Sequence, residues 1–249
     1  MSPLYDEHAD LYDIAFDWDV SQEAAWLQER MGPNCRTVLE PGCGSGRVLE
    51  ALARRGLAVT GIDLSPAMVE IARRRLAAAG LPGEVVEADM TSFDLGRTFD
   101  GAVCPVNTLM HLSRPGLAAH LEAMVRALVP GARYLVQLGM RGDGDAPPSI
   151  WEADRDGTQL RVTWVPERRD EERGVEFHRS RVEIVTGPRT GEVYEELHEM
   201  TVWSHRQWGD AVAAAGFEWS GMFDGMEPGC PRVGFDATGG LLWHELIRR

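Results

Sequence analysis

One short stretch of the sequence decides the fold: VLEPGCGSGR, residues 38–47. An apolar run opens it, and three glycines follow at alternate positions, Gly42, Gly44 and Gly46. Because glycine has no Cβ, such a turn can bend sharply after a strand and let a ligand approach the backbone. In doubly wound sheets this turn lies at the carboxyl ends of the strands, where ligands bind. The stretch therefore predicts a strand, a ligand-binding turn and a helix from Arg47 to Arg55.

The segment from residue 36 to 139 alternates strand and helix patterns. Short apolar runs predict five strands, and the longer stretches between them predict helices. The predicted strands are at 37–39, 57–62, 84–88, 99–104 and 133–138. The predicted helices are at 47–55, 65–80 and 115–128. Ser65 and Pro66 suit the N-cap and the first position of the second helix. Strands separated by single helices pair in parallel, through right-handed crossovers.

A later helix, from Ser204 to Ala215, and two last strands near 217–222 and 241–248 bring the predicted sheet to seven strands. The predicted fold class is α/β, a doubly wound, seven-stranded Rossmann-like sheet with helices on both faces. An antiparallel β insertion follows the fifth strand.

The insertion is predicted from residues 140–204, which break the alternation. Glycines and prolines predict a loop at 142–148. Three runs near 158–166, 174–186 and 191–203 alternate apolar and polar residues, the pattern of antiparallel strands with one covered face.

The N-terminal residues 1–30 mix aromatic and acidic side chains and predict one or two helices, with Ser21 as the N-cap of one. The whole chain then divides into four predicted parts: an N-terminal helical lid (1–33), a cofactor-binding core (34–140), the β insertion (141–203), and a final helix with the last strands (204–249).

Composition narrows the function. The 249 residues carry a net charge of −14, which would repel a phosphate backbone, so we expect no nucleic-acid partner. No apolar run approaches the roughly 18 residues of a membrane span, and the first residues lack signal-peptide features, which predicts no membrane partner and a cytoplasmic location. The scattered cysteines suit buried apolar positions; no ligand spacing predicts a metal site.

The glycine turn departs from the dinucleotide fingerprint G-x-G-x-x-G, because Arg47 stands where its third glycine belongs. Its pattern, E-x-G-x-G-x-G, resembles the first motif of class I S-adenosylmethionine-dependent methyltransferases. Three later segments resemble further motifs of that family in the right order: Asp63 after the second strand, Asp89-Met90 after the third, and residues 99–107. The resemblance covers about residues 34–140 closely.

The resemblance implies S-adenosylmethionine as cofactor, with S-adenosylhomocysteine as product, and assigns binding roles residue by residue. Gly42, Gly44 and Gly46 would line the methionine moiety. Glu40 would orient the turn or contact the amino group through water, and Asp63 would hold the ribose. Leu64 and Met68 would flank the adenine, and Asp89 and Met90 would meet its edge. Cys104 and Asn107 of the fourth motif would lie beside the methionine part. Structural alternatives remain for two of them, since Met68 could belong to the core and Glu40 could cap the following helix.

Candidate catalytic residues are less distinct. In similar enzymes an early tyrosine closes over the cofactor, and Tyr12 is the first choice here, with Tyr5 second; either could instead pack a helix onto the sheet. His111, just after the fourth motif, is the candidate general base, with His178 and His198 as weaker candidates. A lone histidine is also often a surface or core residue.

The predicted function is transfer of a methyl group to a nitrogen or oxygen of a small organic acceptor. Nitrogen is preferred because of the acidic balance and because amino-sugar and peptide N-methyltransferases resemble the chain in placing strands at the insertion. The insertion, which carries Trp151, Trp164, Phe177, Arg161, Arg179 and Arg181, would form an aromatic roof over the acceptor or the contact of a homodimer. The alternatives are a nicotinamide-dependent oxidoreductase and a non-catalytic S-adenosylmethionine-binding protein.

Overall fold

The structure, a computed structural model, describes residues 3–140, 147–227 and 229–249. Most of the predicted loop at 142–148 lies outside them. The strands, numbered in chain order, are β1 Thr37–Pro41, β2 Ala58–Asp63, β3 Gly83–Glu87, β4 Phe99–Cys104, β5 Leu128–Met140, β6 Ser149–Arg155, β7 Thr158–Asp170, β8 Val175–Thr186, β9 Val193–Thr201, β10 Phe217–Phe223, β11 Arg232–Val233 and β12 Gly239–Arg248.

The larger sheet has the order β11-β10-β12-β5-β4-β1-β2-β3. Strands β1 to β5 pair in parallel, and β12 and β10 continue the sheet in antiparallel pairing. The predicted α/β class is confirmed, but the predicted count of seven strands is wrong by one. The eighth, β11, is a two-residue edge strand whose pairing with β10 (Met222 with Val233, Phe223 with Arg232) is too short to leave a periodic pattern.

Helices cover both faces of the larger sheet, as predicted. They are α1 Ala9–Ala15, α2 Ser21–Met31, α3 Arg47–Arg54, α4 Pro66–Ala78, α5 Arg114–Ala127 and α6 His205–Ala215. Neighbouring residues of the central strands enter opposite cores: Ala102 packs with α5 and α6, and Val103 with α2, α3 and α4. This alternation follows from strand geometry, and it explains why these strands are apolar on both faces.

The helix starts follow their capping side chains. Ser65 accepts a hydrogen bond from Met68 N at 3.2 Å with Pro66 next, which confirms the predicted start of α4. The predicted N-cap at Ser21 is wrong, because Val20 is the N-cap and Ser21 is the first helical residue. The carboxylate of Asp19 takes the capping bond instead, accepting from Ser21 N at 2.8 Å.

The insertion forms a separate antiparallel sheet with the order β6-β7-β8-β9. Sequence analysis predicted only three of these strands. Strand β6 is largely exposed and carries charges, which hides its alternation. The turn into β7 held the missed signal, because Asp156-Gly157, with φ of 51° and 81°, is a typical two-residue hairpin turn.

The N-terminal segment divides between the two sheets. Leu11 and Ala15 of α1 pack on Leu160 and Val182 of the smaller sheet, whereas α2 joins the core of the larger one. Of the four cysteines, Cys35, Cys43 and Cys104 are buried as predicted, and Cys230 is only partly buried. Among the described residues, no helix combines the length and apolar character needed to cross a bilayer.

Candidate active site

A cavity of about 800 Å³ lies between the two sheets, at the carboxyl ends of β1, β2 and β4. Its size falls in the upper part of the range for small-molecule sites. We call one side the floor, formed by Gly42, Gly44, Asp63, Leu64, Met68, Asp89, Met90 and Asn107. We call the other the roof, formed by Tyr5, Tyr12, Trp151, Trp164, Arg169, Glu176, His178 and Met200. His111 also lines the cavity, on a 3₁₀ turn at Thr108–His111.

The three glycines of the turn have different roles. All three have positive φ, at 68°, 52° and 78° for Gly42, Gly44 and Gly46. A Cβ on Gly42 would lie 2.6 Å from Thr108 Cγ2, and a Cβ on Gly44 would lie 3.5 Å from Tyr12 Cε1, so both keep their backbone open to the cavity. Gly46 does not line the cavity. A Cβ on Gly46 would lie 2.8 Å from Ala72 Cβ, so its absence lets the start of α3 pack closely against α4.

The carboxylate of Asp63 is fixed by backbone hydrogen bonds. It accepts from Gly44 N at 2.8 Å and from Ser65 N at 2.9 Å, so it ties the glycine turn to the start of α4. Burial raises the pKa of Asp63, against the lowering effect of these backbone bonds. The predicted need of this strand-ending carboxylate for a partner is met by the backbone, and the side chain still borders the cavity.

Glu40 lies behind the glycine turn, almost fully buried at 2% exposure. Burial raises its pKa well above the usual value, against the lowering effects of Arg47 and of a backbone hydrogen bond at Leu49. The Leu49 bond fits the alternative in which Glu40 caps α3. Its second oxygen, Oε2, has no hydrogen-bond partner among the described residues. Glu40 does not border the cavity, so a contact with a ligand's amino group would need a bridging water, as the motif predicts.

The apolar part of the floor fits a flat ring. Leu64 is 53% exposed although it is apolar, and it opens onto the cavity beside Met90. Met68 borders the cavity and is 1% exposed, so its position suits both of the predicted alternatives. Asp89 lies two residues beyond β3, where Thr91 N donates to its Oδ1 at 2.8 Å.

The fourth motif places one predicted residue at the cavity and one away from it. Cys104 is fully buried, with its thiol 3.5 Å from Pro41 O, and the structure does not bring it to the cavity. Asn107 borders the cavity with φ of 57°, and its side chain bridges Gly139 N and Gly240 O.

Val106, which sequence analysis missed, has φ of 56°, an uncommon conformation for a β-branched residue. Its N–H donates to Gln137 Oε1 at 2.7 Å, which helps to hold the strained turn. Nothing in the local periodicity marks Val106 or Gln137, because the bond joins the turn after β4 to strand β5, 31 positions away.

The structure brings Tyr5, Tyr12 and His111 together. The Tyr5 hydroxyl lies 3.4 Å from His111 Nε2, and the Tyr5 ring meets the Tyr12 ring edge-on at 5.3 Å. Burial raises the pKa of Tyr12 to about 12. The His111 ring opens onto the cavity but is otherwise surrounded by protein, which, together with the rings of His198 and His178, lowers its pKa to about 4. His111 is therefore neutral at pH 7.

The roof contains a hydrogen-bonded chain that sequence analysis did not predict. Trp164 Nε1–H donates to His178 Nδ1 at 3.0 Å. Because the indole nitrogen only donates, the proton of neutral His178 lies on Nε2, which is 3.1 Å from Glu176 Oε2. Arg169 Nε lies 2.7 Å from Glu176 Oε1. His198 does not border the cavity; it is buried, stacked on Trp164 and bonded to Ser180.

Comparison with known proteins places these features in context. A family described as "Methyltransferase domain" matches residues 38–131. The chain is 31% identical over 220 residues to a dTDP-3-amino-3,6-dideoxy-alpha-D-glucopyranose N,N-dimethyltransferase of Streptomyces fradiae, covering 84% of this chain and 83% of that protein.

Two solved structures share the whole architecture. A sugar N-methyltransferase from Streptoalloteichus aligns with a TM-score of 0.74 and 27% identity, over 96% of this chain and 92% of the other. An S-adenosylmethionine-bound amino pentose methyltransferase from Micromonospora echinaspora aligns with a TM-score of 0.76 and 24% identity, over 96% and 97%. Both alignments extend over the core and the insertion.

Proposed function

The chain belongs to the family of class I S-adenosylmethionine-dependent methyltransferases, and from this premise we propose that it methylates the amino group of a sugar. Its activity is transfer of a methyl group from S-adenosylmethionine to a nitrogen or oxygen of a small molecule, and S-adenosylhomocysteine is the product. The predicted enzyme class is thus confirmed, and the oxidoreductase and non-catalytic alternatives are not retained.

One observation supports a sugar amine above other acceptors. A relative whose match covers 84% of this chain, well beyond the cofactor-binding core alone, is named as an N,N-dimethyltransferase of an amino sugar. Because the insertion supplies most of the roof, likeness in this region bears on the acceptor rather than on the cofactor.

The floor residues fit the cofactor. S-Adenosylmethionine, when bound, supplies a methyl group on a positively charged sulfur. Gly42 and Gly44 would leave the backbone accessible to it, and the Asp63 carboxylate would accept hydrogen bonds from ribose hydroxyls. Leu64 and Met68 would pack on the adenine, Asp89 and Met90 would meet its edge, and Asn107 would lie beside the methionine part. Glu40 Oε2, buried and unpartnered among the described residues, suits a contact with the amino group through water.

In this proposal His111 acts on the acceptor and Tyr12 shields the site from water. A reacting amine needs a free lone pair, so it must be neutral. His111, neutral at pH 7, accepts a hydrogen bond from the amine N–H and so directs the lone pair away from itself. After transfer, His111 or water takes the proton of the methylated ammonium. Tyr12, which lies over Gly44, closes the cavity against water.

We also propose a cytoplasmic location and a homodimer formed through the smaller sheet. Free thiols at all four cysteines suit a reducing compartment. The dimer would use the sheet face that points away from the cavity, where Ile150 and Leu197 are exposed. Sedimentation of the purified protein tests the dimer, and an Ile150→Lys variant should sediment as a monomer.

The acceptor is tested with a matched pair of sugars. The enzyme is incubated with S-adenosylmethionine and either dTDP-3-amino-3,6-dideoxyglucose or its 3-hydroxy counterpart, and products are identified by mass spectrometry. We expect methylated product from the amino sugar alone, and a His111→Phe variant that binds S-adenosylhomocysteine normally but turns over more slowly. Methylation of the hydroxy sugar, or none of the amino sugar by an enzyme that binds S-adenosylhomocysteine, would contradict the proposal.

A further inference from the structure

The roof presents one carboxylate to the cavity, that of Glu176. Glu176 and His178 occupy alternate positions of β8 and so lie on the same face of the smaller sheet. Farther along that face, Val182 and Ile184 are buried under α1. The cavity half of the face is therefore polar, whereas the half under α1 is apolar.

The orientation of this carboxylate is fixed on both oxygens. Oε2 lies 3.1 Å from the Nε2–H of His178, whose ring is itself held by the indole N–H of Trp164. Oε1 lies 2.7 Å from Arg169 Nε. The side chain of Glu176 is 14% exposed and that of His178 12% exposed. A polar group held by two neighbours, one of them itself fixed by a third residue, is preorganised on the cavity wall to bind a ligand.

The charge of this group favours neutral donors over cations. Arg169 already balances the negative charge of Glu176, so a second cation would gain little from binding there. Hydroxyl groups gain more, because a hydrogen bond to a charged acceptor is about twice as strong as one between neutral groups. The indole of Trp164 adds an apolar surface beside the carboxylate, which suits the carbon face of a sugar ring.

The roof connects this carboxylate to the candidate catalytic residue. His178 lies directly opposite His198 in the pairing of β8 with β9, and Glu176 lies opposite Met200. The His198 ring is centred 6.1 Å from the His111 ring. His111 and Glu176 both border the same cavity, so an acceptor bound there has both residues on its walls.

We propose that Glu176 binds ring hydroxyl groups of the sugar acceptor, and that Trp164, His178 and Arg169 position its carboxylate. This assigns an acceptor-specificity role to a residue outside the cofactor motifs. The inference rests on the proposed function, because it takes the acceptor to be an amino sugar.

The test measures whether Glu176 recognises a hydroxyl. Wild-type enzyme and Glu176→Gln are compared on dTDP-3-amino-3,6-dideoxyglucose and on its 2-deoxy and 4-deoxy analogues. In the wild type, removal of one hydroxyl should lower kcat/KM about 10- to 100-fold, through KM more than kcat. In Glu176→Gln the same removal should change kcat/KM less than about 3-fold, because the carboxylate that recognised the hydroxyl is gone.

The matched control is Glu183→Gln on the same strand. Glu183 also pairs with an arginine, Arg181 at 2.6 Å, but it points to the opposite face and does not border the cavity. It should keep the wild-type discrimination between the sugars. Trp164→Phe is a second variant, which keeps an aromatic ring but removes the N–H that orients His178. It should raise KM for the parent sugar and leave S-adenosylhomocysteine binding unchanged.

The outcomes separate the two proposals. If the wild type methylates none of the amino sugars, the proposed function fails. If it methylates them but neither deoxy analogue loses activity, the role of Glu176 is overturned and the function stands. The role is also overturned if Glu176→Gln, binding S-adenosylhomocysteine normally, still discriminates like the wild type. Should Glu176→Gln not fold, the wild-type comparison of sugars and the KM of Trp164→Phe decide the question.

Discussion

The floor and the roof of the cavity are built in different ways. On the floor, backbone groups hold the main functional side chain, as in the bonds from Gly44 N and Ser65 N to Asp63. On the roof, side chains hold side chains, as in the sequence Trp164 to His178 to Glu176. In the proposed function, the floor binds the cofactor that the family shares and the roof meets the acceptor. Backbone geometry would then fix the shared step, and side chains that can be exchanged would determine which acceptor binds.

The largest loss of affinity on the floor is expected when the space beside its first glycine, Gly42, is filled. In Gly42→Ala the new Cβ would lie within 2.6 Å of Thr108 and 2.8 Å of Met90, at a φ of 68°. We expect S-adenosylhomocysteine affinity, measured by calorimetry, to fall by about 100-fold or more, roughly 3 kcal/mol.

Gly80→Ala is the control for Gly42→Ala. Gly80 has φ of 64°, so the backbone strain is the same, but no atom lies within 4 Å of the new Cβ. Its affinity should stay within about 2-fold of wild type, with about 1–2 kcal/mol lost in stability. Equal loss of affinity in both variants would mean that strain, rather than the space beside Gly42, determines binding.

A smaller effect is expected where one floor carboxylate loses its charge. Asp63→Asn keeps the size but can accept on only one oxygen, so either Gly44 N or Ser65 N loses its acceptor. We expect S-adenosylhomocysteine affinity to fall about 10- to 100-fold, since hydrogen bonds to charged groups contribute about 1.5–3 kcal/mol. Asp94→Asn is the control, because Asp94 accepts a hydrogen bond from Gly96 N in a similar turn away from the cavity. This variant should bind S-adenosylhomocysteine normally. Normal binding by Asp63→Asn would remove Asp63 from the site.

This difference also explains what the sequence could predict. The floor could be predicted because a glycine turn, a strand-ending carboxylate and the spacing between them are local features of the sequence. The backbone geometry of the fold brings these features together in one site. Four residues that the motifs predict for the site do border the cavity: Gly42, Gly44, Asp63 and Met90. Their contacts with the cofactor remain predictions. Cys104 and Gly46 match the motif pattern but are used for packing, which spacing alone cannot distinguish from binding.

Fewer of the roof residues and contacts could be predicted from the sequence. Strand β7 pairs with β8 through a register shift between Pro166 and Arg168, so Arg169 reaches the face that simple alternation assigns to its neighbours. The bond between Trp164 and His178 joins residues that are close only after this pairing forms. The sequence pattern therefore marks His178 only as an isolated candidate and does not mark Glu176. The hairpin at Asp156-Gly157 was the one local signal for the extra strand.

The floor can also be tested through pH. His120 is fully buried beneath it, bonded to Met90 O at 3.0 Å and to the Tyr134 hydroxyl at 2.8 Å, and burial lowers its pKa to about 4. Because an unfolded histidine titrates near 6.5, the unfolded chain binds more protons than the folded one between these values. The free energy of unfolding should keep its full value above pH 6.5 and fall as the pH drops from 6.5 towards 4. At pH 5 the uptake of a proton by His120 should lower it by about 2 kcal/mol.

Urea unfolding at pH 7 and pH 5 measures this loss. In His120→Gln the group that takes up the proton is absent, so the loss between the two pH values should be smaller than in the wild type by about 2 kcal/mol. His244, also fully buried with a pKa of about 4, should contribute a similar loss in both proteins. An unchanged pH dependence in His120→Gln would show that the His120 ring is not kept neutral by the fold.

The smallest effect concerns the link between roof and floor. Arg155 on β6 and Arg75 on α4 both bind the carboxylates of Asp13 and Asp17, which flank the helix end next to Tyr12. Arg155→Met keeps the aliphatic stem but removes one of the two cations. Tyr12 should then be less firmly held over Gly44, and S-adenosylhomocysteine affinity should fall about 3- to 10-fold, roughly 1 kcal/mol.

Salt provides the internal check on this last effect. Since the Arg155 contacts are partly buried, with side-chain exposures of 29% for Arg155 and 14% for Asp13, salt should weaken wild-type binding moderately and the variant less. Arg161→Met removes an arginine from the neighbouring strand, but its pair with Glu152 is about half exposed on both sides and should contribute almost nothing. If both variants bind alike, the smaller sheet covers the cavity without helping to hold Tyr12, and roof and floor act independently.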